Sequence, residues 1–242
     1  MSVFHWINLL LTPMVMLWPE LWPSPSYSLW LCEIIFLLDI LRKCLLKKQK
    51  SQAADSYDIF VEYVRSNLII DLIPLLPSIF SGMDQKFAFL KILRVNEIYM
   101  LHFSLTYVLQ ACSSQKSKSE LKDVEFAFSI VSKITILLHY LSCLWIHIGG
   151  EDYLDYEPGF LPWQFANKDL EGISRYQLYI FSTYWVCTVI TTVGYGDYHG
   201  GTTLEYEATL FLMIFGVVVF SLLQLTVTRL MGSKYYTFPY YM

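Results

Sequence analysis

The sequence predicts an all-α integral membrane protein with six transmembrane helices and a re-entrant helix and loop between the fifth and sixth. The first observation is that 55% of the 242 residues are hydrophobic and 17% are aromatic, more than a soluble domain needs for its core. The second is that apolar runs of about 20 residues, the length that crosses a bilayer, recur from the first residues to beyond Leu230. The third is an apolar run that is too short to cross the bilayer and return, followed by a glycine-containing loop.

The first two predicted crossings give the orientation. The first extends to about Trp18. It lacks the basic start and small-residue cleavage site of a signal peptide, so we interpret it as a retained membrane helix. A proline-rich turn ends it, and the second crossing runs from about Tyr27 to Leu46. The positive-inside rule assigns its basic end to the cytoplasm. That end contains Arg42, Lys43, Lys47, Lys48 and Lys50.

The third and fourth predicted crossings complete a four-helix domain over residues 1–110. The third crossing, at about residues 57–80, contains Asp71 among apolar residues and is interrupted by two prolines. The fourth crossing covers about residues 84–110. The polar, lysine-rich segment 111–123 follows, and its charge indicates a cytoplasmic linker.

The second half of the chain predicts another domain, over residues 124–231. Its fifth crossing covers about residues 124–149 and is followed by a loop rich in acidic residues, which alternation of sides makes extracellular. Tyr176–Ile190 is the short apolar run that predicts a re-entrant helix. The sixth crossing covers about residues 204–231, and residues 232–242 form a short cytoplasmic tail.

The stretch TTVGYGDYHG, residues 191–200, follows the short apolar run. Irregular backbone at membrane depth survives only where it is buried in protein or lines a water-filled path. Glycine adopts positive φ without steric cost, so Gly194 and Gly196 allow successive carbonyl groups to face one side. A column of such oxygens, with the Thr192 hydroxyl added, can replace the water shell of a potassium ion. One chain supplies one side of the column, so several copies are required, most simply four. The alternative is a glycine-containing turn that only joins two helices.

The motif TVGYG in this stretch resembles the selectivity filter of potassium channels. We call its five residues the predicted filter: Thr192, Val193, Gly194, Tyr195 and Gly196. The resemblance implies potassium binding by their backbone carbonyls. It also implies that Tyr184 and Trp185 pack around the filter tyrosine, and that Asp197 corresponds to the acid that follows the filter in many members.

Other segments resemble the channels that usually carry a cyclic-nucleotide-binding domain, a family that includes ether-a-go-go, hyperpolarisation-activated and plant inward-rectifier types. HYLSCLWIHIG (139–149) is similar to their fifth helix and YVRSNLIIDLIPLLP (63–77) to their third. Glu205 followed by MIFG (213–216) is similar to the start and middle of their sixth. The sequence contains no glycine-rich phosphate-binding loop, so we expect no nucleotide-binding domain in it and infer no control by cyclic nucleotides. The family's usual Gly-Asn near the inner end of the sixth helix is also missing.

The resemblance extends to a degenerate voltage sensor. Family sensors carry a basic residue at every third position of the fourth helix, and here that register contains Lys91 and Arg94 and then the acidic Glu97. Two charges in each of four subunits give at most roughly 18 kcal/mol per 100 mV, and real sensors use three or four charges per subunit. We therefore expect weak voltage dependence. The alternative is a static bundle in which acids only balance the two bases. The sensor-like partners implied by the resemblance are Glu33, Phe36, Asp39 and Asp71.

Gly216 lies in the middle of the sixth predicted crossing. A flexible point there could let the inner half of the helix swing and open the pore. The alternative is that this glycine only permits close packing, since glycine is frequent in membrane helices.

These observations predict a potassium-selective channel subunit that moves potassium passively through a tetrameric pore. We expect no catalytic residues and no cofactor, because neither a catalytic constellation nor a nucleotide-binding motif is present. The expected partners are membrane lipids and other channel subunits in a homo- or hetero-tetramer, with no nucleic acid, and the expected location is the plasma membrane. The alternative function is a non-conducting regulatory subunit, or a truncated product, that co-assembles with longer relatives.

Overall fold

The computed structural model shows a helical chain. It describes residues 2–18, 25–45, 56–66, 68–76, 90–94, 117–150, 161–166, 170 and 172–235. The chain divides into two compact units, residues 1–118 and 119–242.

The described residues of the first unit form four helices and, after them, a short 3-10 turn. They are α1 (Ser2–Leu17), α2 (Pro25–Leu45), α3 (Ser56–Ser66), α4 (Leu68–Leu72) and the 3-10 turn Ile73–Leu75. The described residues of the third predicted crossing thus form α3, α4 and the 3-10 turn. Pro74 is buried in the 3-10 turn, where its missing N–H costs least. Of the fourth predicted crossing, residues 90–94 form a 3-10 turn, and its remainder lies outside the described residues.

Helix α2 has an inverted distribution of polar and apolar side chains. Its buried face packs Phe36 and Ile40 against Tyr63 and Leu75, and the same face buries two carboxylates. Leucines and isoleucines cover its exposed face. A helix in water has its charges outside, so this arrangement fits a helix whose outer face meets lipid.

The described part of the second unit forms two long helices and two short ones. They are α5 (Ser117–Gly149), α6 (Trp163–Ala166), α7 (Arg175–Ile190) and α8 (Thr203–Tyr235). Helix α5 begins seven residues before its predicted start at Val124, because the intervening Lys, Glu and Leu residues are strong helix formers. A capping box begins α7: the Ser174 hydroxyl accepts from the Gln177 N–H, and the Gln177 side chain accepts from the Ser174 N–H.

Two segments of the described chain are long and apolar enough to cross a membrane, Phe126–Gly149 and Thr203–Thr228. The all-α class is confirmed, with these two long apolar helices flanking the short α7. The remaining four of the six crossings stay a prediction.

Candidate functional site

The predicted filter follows the C-terminal end of α7, and the sign of φ alternates along its backbone. The φ angles are 61° at Thr192, 52° at Gly194 and 77° at Gly196. Within the described residues Val193 and Tyr195 are not among those with positive φ. Successive residues of opposite handedness bring their carbonyl groups to the same side, whereas an ordinary strand alternates them. The Thr192 angle is the unexpected one, since a β-branched residue rarely adopts positive φ.

The N–H groups at the start of the filter are tied to the last turn of α7. Val193 and Gly194 both donate to the Thr188 carbonyl, at 2.9 and 3.1 Å, and Thr192 donates to the Val189 carbonyl at 3.1 Å. In a trans peptide the C=O points opposite to the N–H. The carbonyls of Thr191, Thr192 and Val193, which share these peptides, therefore point away from α7. No hydrogen bond between described residues ends on a carbonyl of residues 192–196.

The filter side chains have little cover within one chain. Residues 191–197 are all exposed, and the exposed fraction is 53% for Val193 and 71% for Tyr195. Apolar and aromatic surface of this kind normally marks an interaction site. The geometry therefore gives one chain a free column of carbonyl groups with an uncovered apolar flank.

Tyr184 of α7 holds the outer end of the filter. Its hydroxyl donates to Asp197 Oδ2 at 2.7 Å. Its ring lies parallel to that of Tyr195, with centroids 6.5 Å apart, and edge-on to Tyr198 at 6.2 Å. The contact between Tyr184 and Tyr195 is the one expected from the resemblance.

Trp185 faces a different direction from Tyr184. Its ring stacks on Trp145 of α5, with centroids 3.8 Å apart and an interplanar angle of 10°. Adjacent residues of a helix point about 100° apart, so within one chain Tyr184 reaches Tyr195 and Trp185 reaches Trp145. The expected contact of Trp185 with a filter tyrosine stays a prediction. Trp185 anchors α7 to α5, as does the buried Ser182 hydroxyl, which donates to the Ser142 carbonyl at 2.8 Å.

Gly216 lies where α8 passes the end of α7. A Cβ atom added to this glycine would lie 3.0 Å from Ile190 Cα, closer than ordinary van der Waals contact. This contact favours the packing interpretation of Gly216. The hinge stays a prediction.

In the first unit, Glu33 binds both bases of the fourth predicted crossing. Lys91 Nζ lies 2.8 Å from Glu33 Oε1, and Arg94 Nη2 lies 2.6 Å from Glu33 Oε2. The Arg94 guanidinium also stacks over the Phe36 ring, 3.8 Å from its centroid, and donates to the Pro74 carbonyl at 3.2 Å. All three charged side chains are buried.

Among the residues that the structure describes, Asp39 and Asp71 pair with bases of α2. Arg42 Nη2 lies 2.8 Å from Asp39 Oδ1, and Lys43 Nζ lies 3.5 Å from Asp39 Oδ2 and 3.1 Å from Asp71 Oδ2. Tyr63 donates to Asp71 Oδ2 at 2.6 Å. Lys43 therefore bridges the two acids that the sequence assigned to sensor charges.

The sequence analysis missed two features of the site. The positive φ of Thr192 has no signature in the residue type. Glu205, by contrast, is fully buried and accepts from backbone N–H groups on both sides of α7. The spacing of Thr202 and Glu205 is that of a capping box, which could have identified part of this role.

Comparison with known proteins points to ion channels. Residues 171–233 match a family model described as ion channel. Over 220 residues the chain is 25% identical to the voltage-gated delayed rectifier potassium channel KCNH8 of Mus musculus, covering 84% of this chain and 19% of that protein. It is 21% identical over 233 residues to the voltage-gated delayed rectifier potassium channel KCNH1 of Rattus norvegicus, covering 84% of this chain and 23% of that protein. It is 29% identical over 125 residues to potassium channel AKT2 of Oryza sativa subsp. japonica, covering 48% of this chain and 14% of that protein.

The chain thus carries an ion-channel domain and is distantly homologous to ether-a-go-go potassium channels and to the plant AKT2 channel. The resemblance drawn from the sequence is confirmed, as is the prediction of a channel rather than an enzyme. The chain spans less than a quarter of the length of these relatives.

Proposed function

We propose that this chain is one subunit of a potassium-selective channel in which four copies surround a common axis and potassium crosses the membrane passively. The observation that carries the proposal is the filter backbone, in which φ alternates in sign and the first N–H groups are bonded back to α7. This conformation frees the carbonyls for a ligand. Carbonyl oxygens in a column are the ligands that replace the water shell of potassium.

The connection to α7 supports selectivity. Because Val193 and Gly194 donate to one carbonyl of α7, the filter oxygens of a chain cannot move toward the axis without breaking these hydrogen bonds. Contraction around the smaller sodium ion is thereby opposed. The C-terminal end of α7 also carries the partial negative charge of the helix dipole, which favours a cation nearby.

The exposed flank of the filter supports assembly into a tetramer. Val193 and Tyr195 are more than half exposed in one chain, and neighbouring copies around an axis would cover them. Helix α8 is also exposed along most of its apolar length, so it has surface for both a neighbouring subunit and lipid. The plasma membrane remains the expected location.

The ion pairs of the first unit support weak voltage dependence. Lys91 and Arg94 would have to leave Glu33 in order to move, and the next acids toward the basic end of α2 are already paired with Arg42 and Lys43. A charge that gives up one buried partner without gaining another loses several kcal/mol. We therefore propose that this unit acts mainly as a rigid support.

The decisive experiment is the reversal potential of the purified chain in planar bilayers, with potassium on one side and sodium on the other. A potassium-selective pore gives a reversal potential near the potassium equilibrium potential. We expect Gly194→Ala to abolish this selectivity. Gly172→Ala is the matched control: both glycines have positive φ, 52° and 74°, and a Cβ at either meets nothing within 4 Å. Each substitution costs about 1–2 kcal/mol of backbone strain, but only Gly194 lies in the filter.

Two results would overturn the proposal. Equal loss of current in both glycine variants would mean that strain alone, rather than the filter conformation, is responsible. Folded tetramers of the unaltered chain without current would favour the regulatory-subunit alternative, and co-expression with a conducting relative would then show a changed current.

A further inference from the structure

We infer that Glu205 is a positioning residue for the filter. Its buried carboxylate joins the segment before α7 to the segment after the filter, and so it holds the filter in a fixed position relative to α7. This inference rests on the proposed function. The residue contacts neither the filter nor a permeating ion, and it acts through the backbone segments that it binds.

The Glu205 side chain receives hydrogen bonds from three separate backbone N–H groups. Oε2 accepts from Gly201 at 2.6 Å and from Thr202 at 3.1 Å, and both oxygens accept from Trp163, at 3.0 and 3.2 Å. Glu205 is 0% exposed. No ion pair joins it to a base within the part of the chain that the structure describes, so N–H groups and the start of α8 balance its charge.

These contacts exceed what the start of a helix requires. Thr202 and Glu205 form a capping box, because Glu205 N–H donates to Thr202 Oγ1 at 3.3 Å and the carboxylate accepts from Thr202 N–H. The bonds from Gly201 and Trp163 are additional. Trp163 lies 42 residues before Glu205 in the sequence, so its bond connects distant segments and does not stabilise α8 locally.

Trp163 extends the connection to α7. Its indole N–H donates to the Trp145 carbonyl at 3.3 Å, and its ring stacks on Trp145 with centroids 5.7 Å apart. Trp145 in turn stacks on Trp185 of α7 at 3.8 Å. A continuous path of buried contacts therefore runs from the Glu205 carboxylate to the helix whose last turn holds the filter N–H groups.

Two glycines permit this close approach. A Cβ added to Gly201 would overlap the Leu161 carbonyl, and one added to Gly149 would overlap the Trp163 indole and lie 3.1 Å from Glu205 Oε1. The segment before α7 is thus fitted against both α5 and the start of α8. In so close a fit, one arrangement gives every buried N–H group an acceptor. A displaced segment would leave an N–H group without one, which lowers stability.

The test uses two variants that differ in which bonds they remove. Glu205→Gln keeps one oxygen for Gly201, for Thr202 and for the longer, 3.2 Å bond from the Trp163 N–H. It replaces the oxygen that lies 3.0 Å from the Trp163 N–H by an NH₂ group, which cannot accept that bond and opposes the N–H. Thr202→Ala, the matched control, removes the hydroxyl of the capping box and leaves the carboxylate bonds in place. Glu205→Asp is a second variant that keeps the charge but is one methylene too short to reach both segments.

The first readout is hydrogen–deuterium exchange of the Thr192, Val193 and Gly194 amides in purified protein, which does not depend on conduction. We expect exchange about tenfold faster in Glu205→Gln and unchanged in Thr202→Ala. The second readout is the potassium-to-sodium permeability ratio of variants that form tetramers normally, which should fall about tenfold in Glu205→Gln alone. Should Glu205→Gln not fold, the same two readouts on Glu205→Asp decide the matter.

Unchanged exchange in the Glu205 variants, or equal effects in Thr202→Ala, would overturn the inference, since Glu205 would then only cap α8. If the unaltered chain passes no potassium current, the proposed function fails while the exchange data still decide the role of Glu205. The two failures are therefore distinguishable.

Discussion

If the chain conducts as proposed, replacing Lys43 by glutamine should make its current more sensitive to voltage. Lys43 bridges Asp39 and Asp71, at 3.5 and 3.1 Å, so these acids are not available to a base that moves toward them. Glutamine keeps the length of the side chain close to that of lysine but removes the charge. Asp71 then loses its basic partner, and Asp39 retains Arg42.

The energies of the ion pairs and of the membrane field indicate why Lys43 decides whether the bases move with voltage. Glu33 and Asp39 are six residues apart, which is about 9 Å along a helix, and Arg94 would pass Phe36 on that path. Breaking a buried pair by removing one partner costs about 3–5 kcal/mol. A 100 mV change supplies at most about 4.6 kcal/mol per subunit for two charges crossing the whole field. The field therefore barely offsets the loss of Glu33 unless a new acid becomes available.

The assay is the steepness of open probability against voltage in planar bilayers. We expect the unaltered chain to behave as if less than about one elementary charge moved, and Lys43→Gln to be clearly steeper. Arg65→Gln is the control, because Arg65 is exposed in the last turn of α3 and the net charge changes equally. A steep response in the unaltered chain, or the same slope change in both variants, would refute the reasoning.

Three further predictions concern the second unit. Tyr184→Phe keeps the ring against Tyr195 but removes the 2.7 Å hydrogen bond to Asp197. The current should therefore decay faster during sustained opening. A decay rate equal to that of the unaltered chain would contradict the role of this bond. Gly216→Ala places a Cβ 3.0 Å from Ile190 Cα and should destabilise the protein by about 1–3 kcal/mol, measured as a lower thermal midpoint. A hinge without close packing would instead alter gating at unchanged stability. Ser182→Ala removes the 2.8 Å hydrogen bond from the buried Ser182 hydroxyl to α5. This should lower the free energy of unfolding by about 1 kcal/mol, measured by denaturant unfolding in detergent. An unchanged midpoint would show that the bond contributes nothing to stability.

The helices of the second unit were largely predictable because their signals are local. The apolar run before the filter predicted a start at Tyr176, and α7 begins at Arg175. The glycines at 194 and 196 predicted positive φ, since few other residues adopt it easily. The positive φ of Thr192 was not predictable, because it arises from the hydrogen bonds to α7 and not from the residue type.

The partners of charged and aromatic side chains were predicted less well, because they depend on packing between distant segments. The resemblance implied that Asp39 and Asp71 are sensor-like acids, and it did not predict that Lys43 of α2 pairs with both. The stacking of Trp185 on Trp145 of α5 was also not predicted. One of the N–H groups that bind Glu205 belongs to Trp163, which lies 42 residues before Glu205, a separation over which sequence pattern carries no information.

The uncovered flank of the filter has a consequence for mixtures of chains. If each of four copies covers the Val193 and Tyr195 of a neighbour, a defective filter in one copy removes the cover and the ligands of the whole ring. With equal amounts of intact and defective chains assembling at random, roughly one sixteenth of closed four-membered rings contain only intact chains. A defective allele of such a subunit would therefore act dominantly, and its effect would grow as its share of the expressed chains increased.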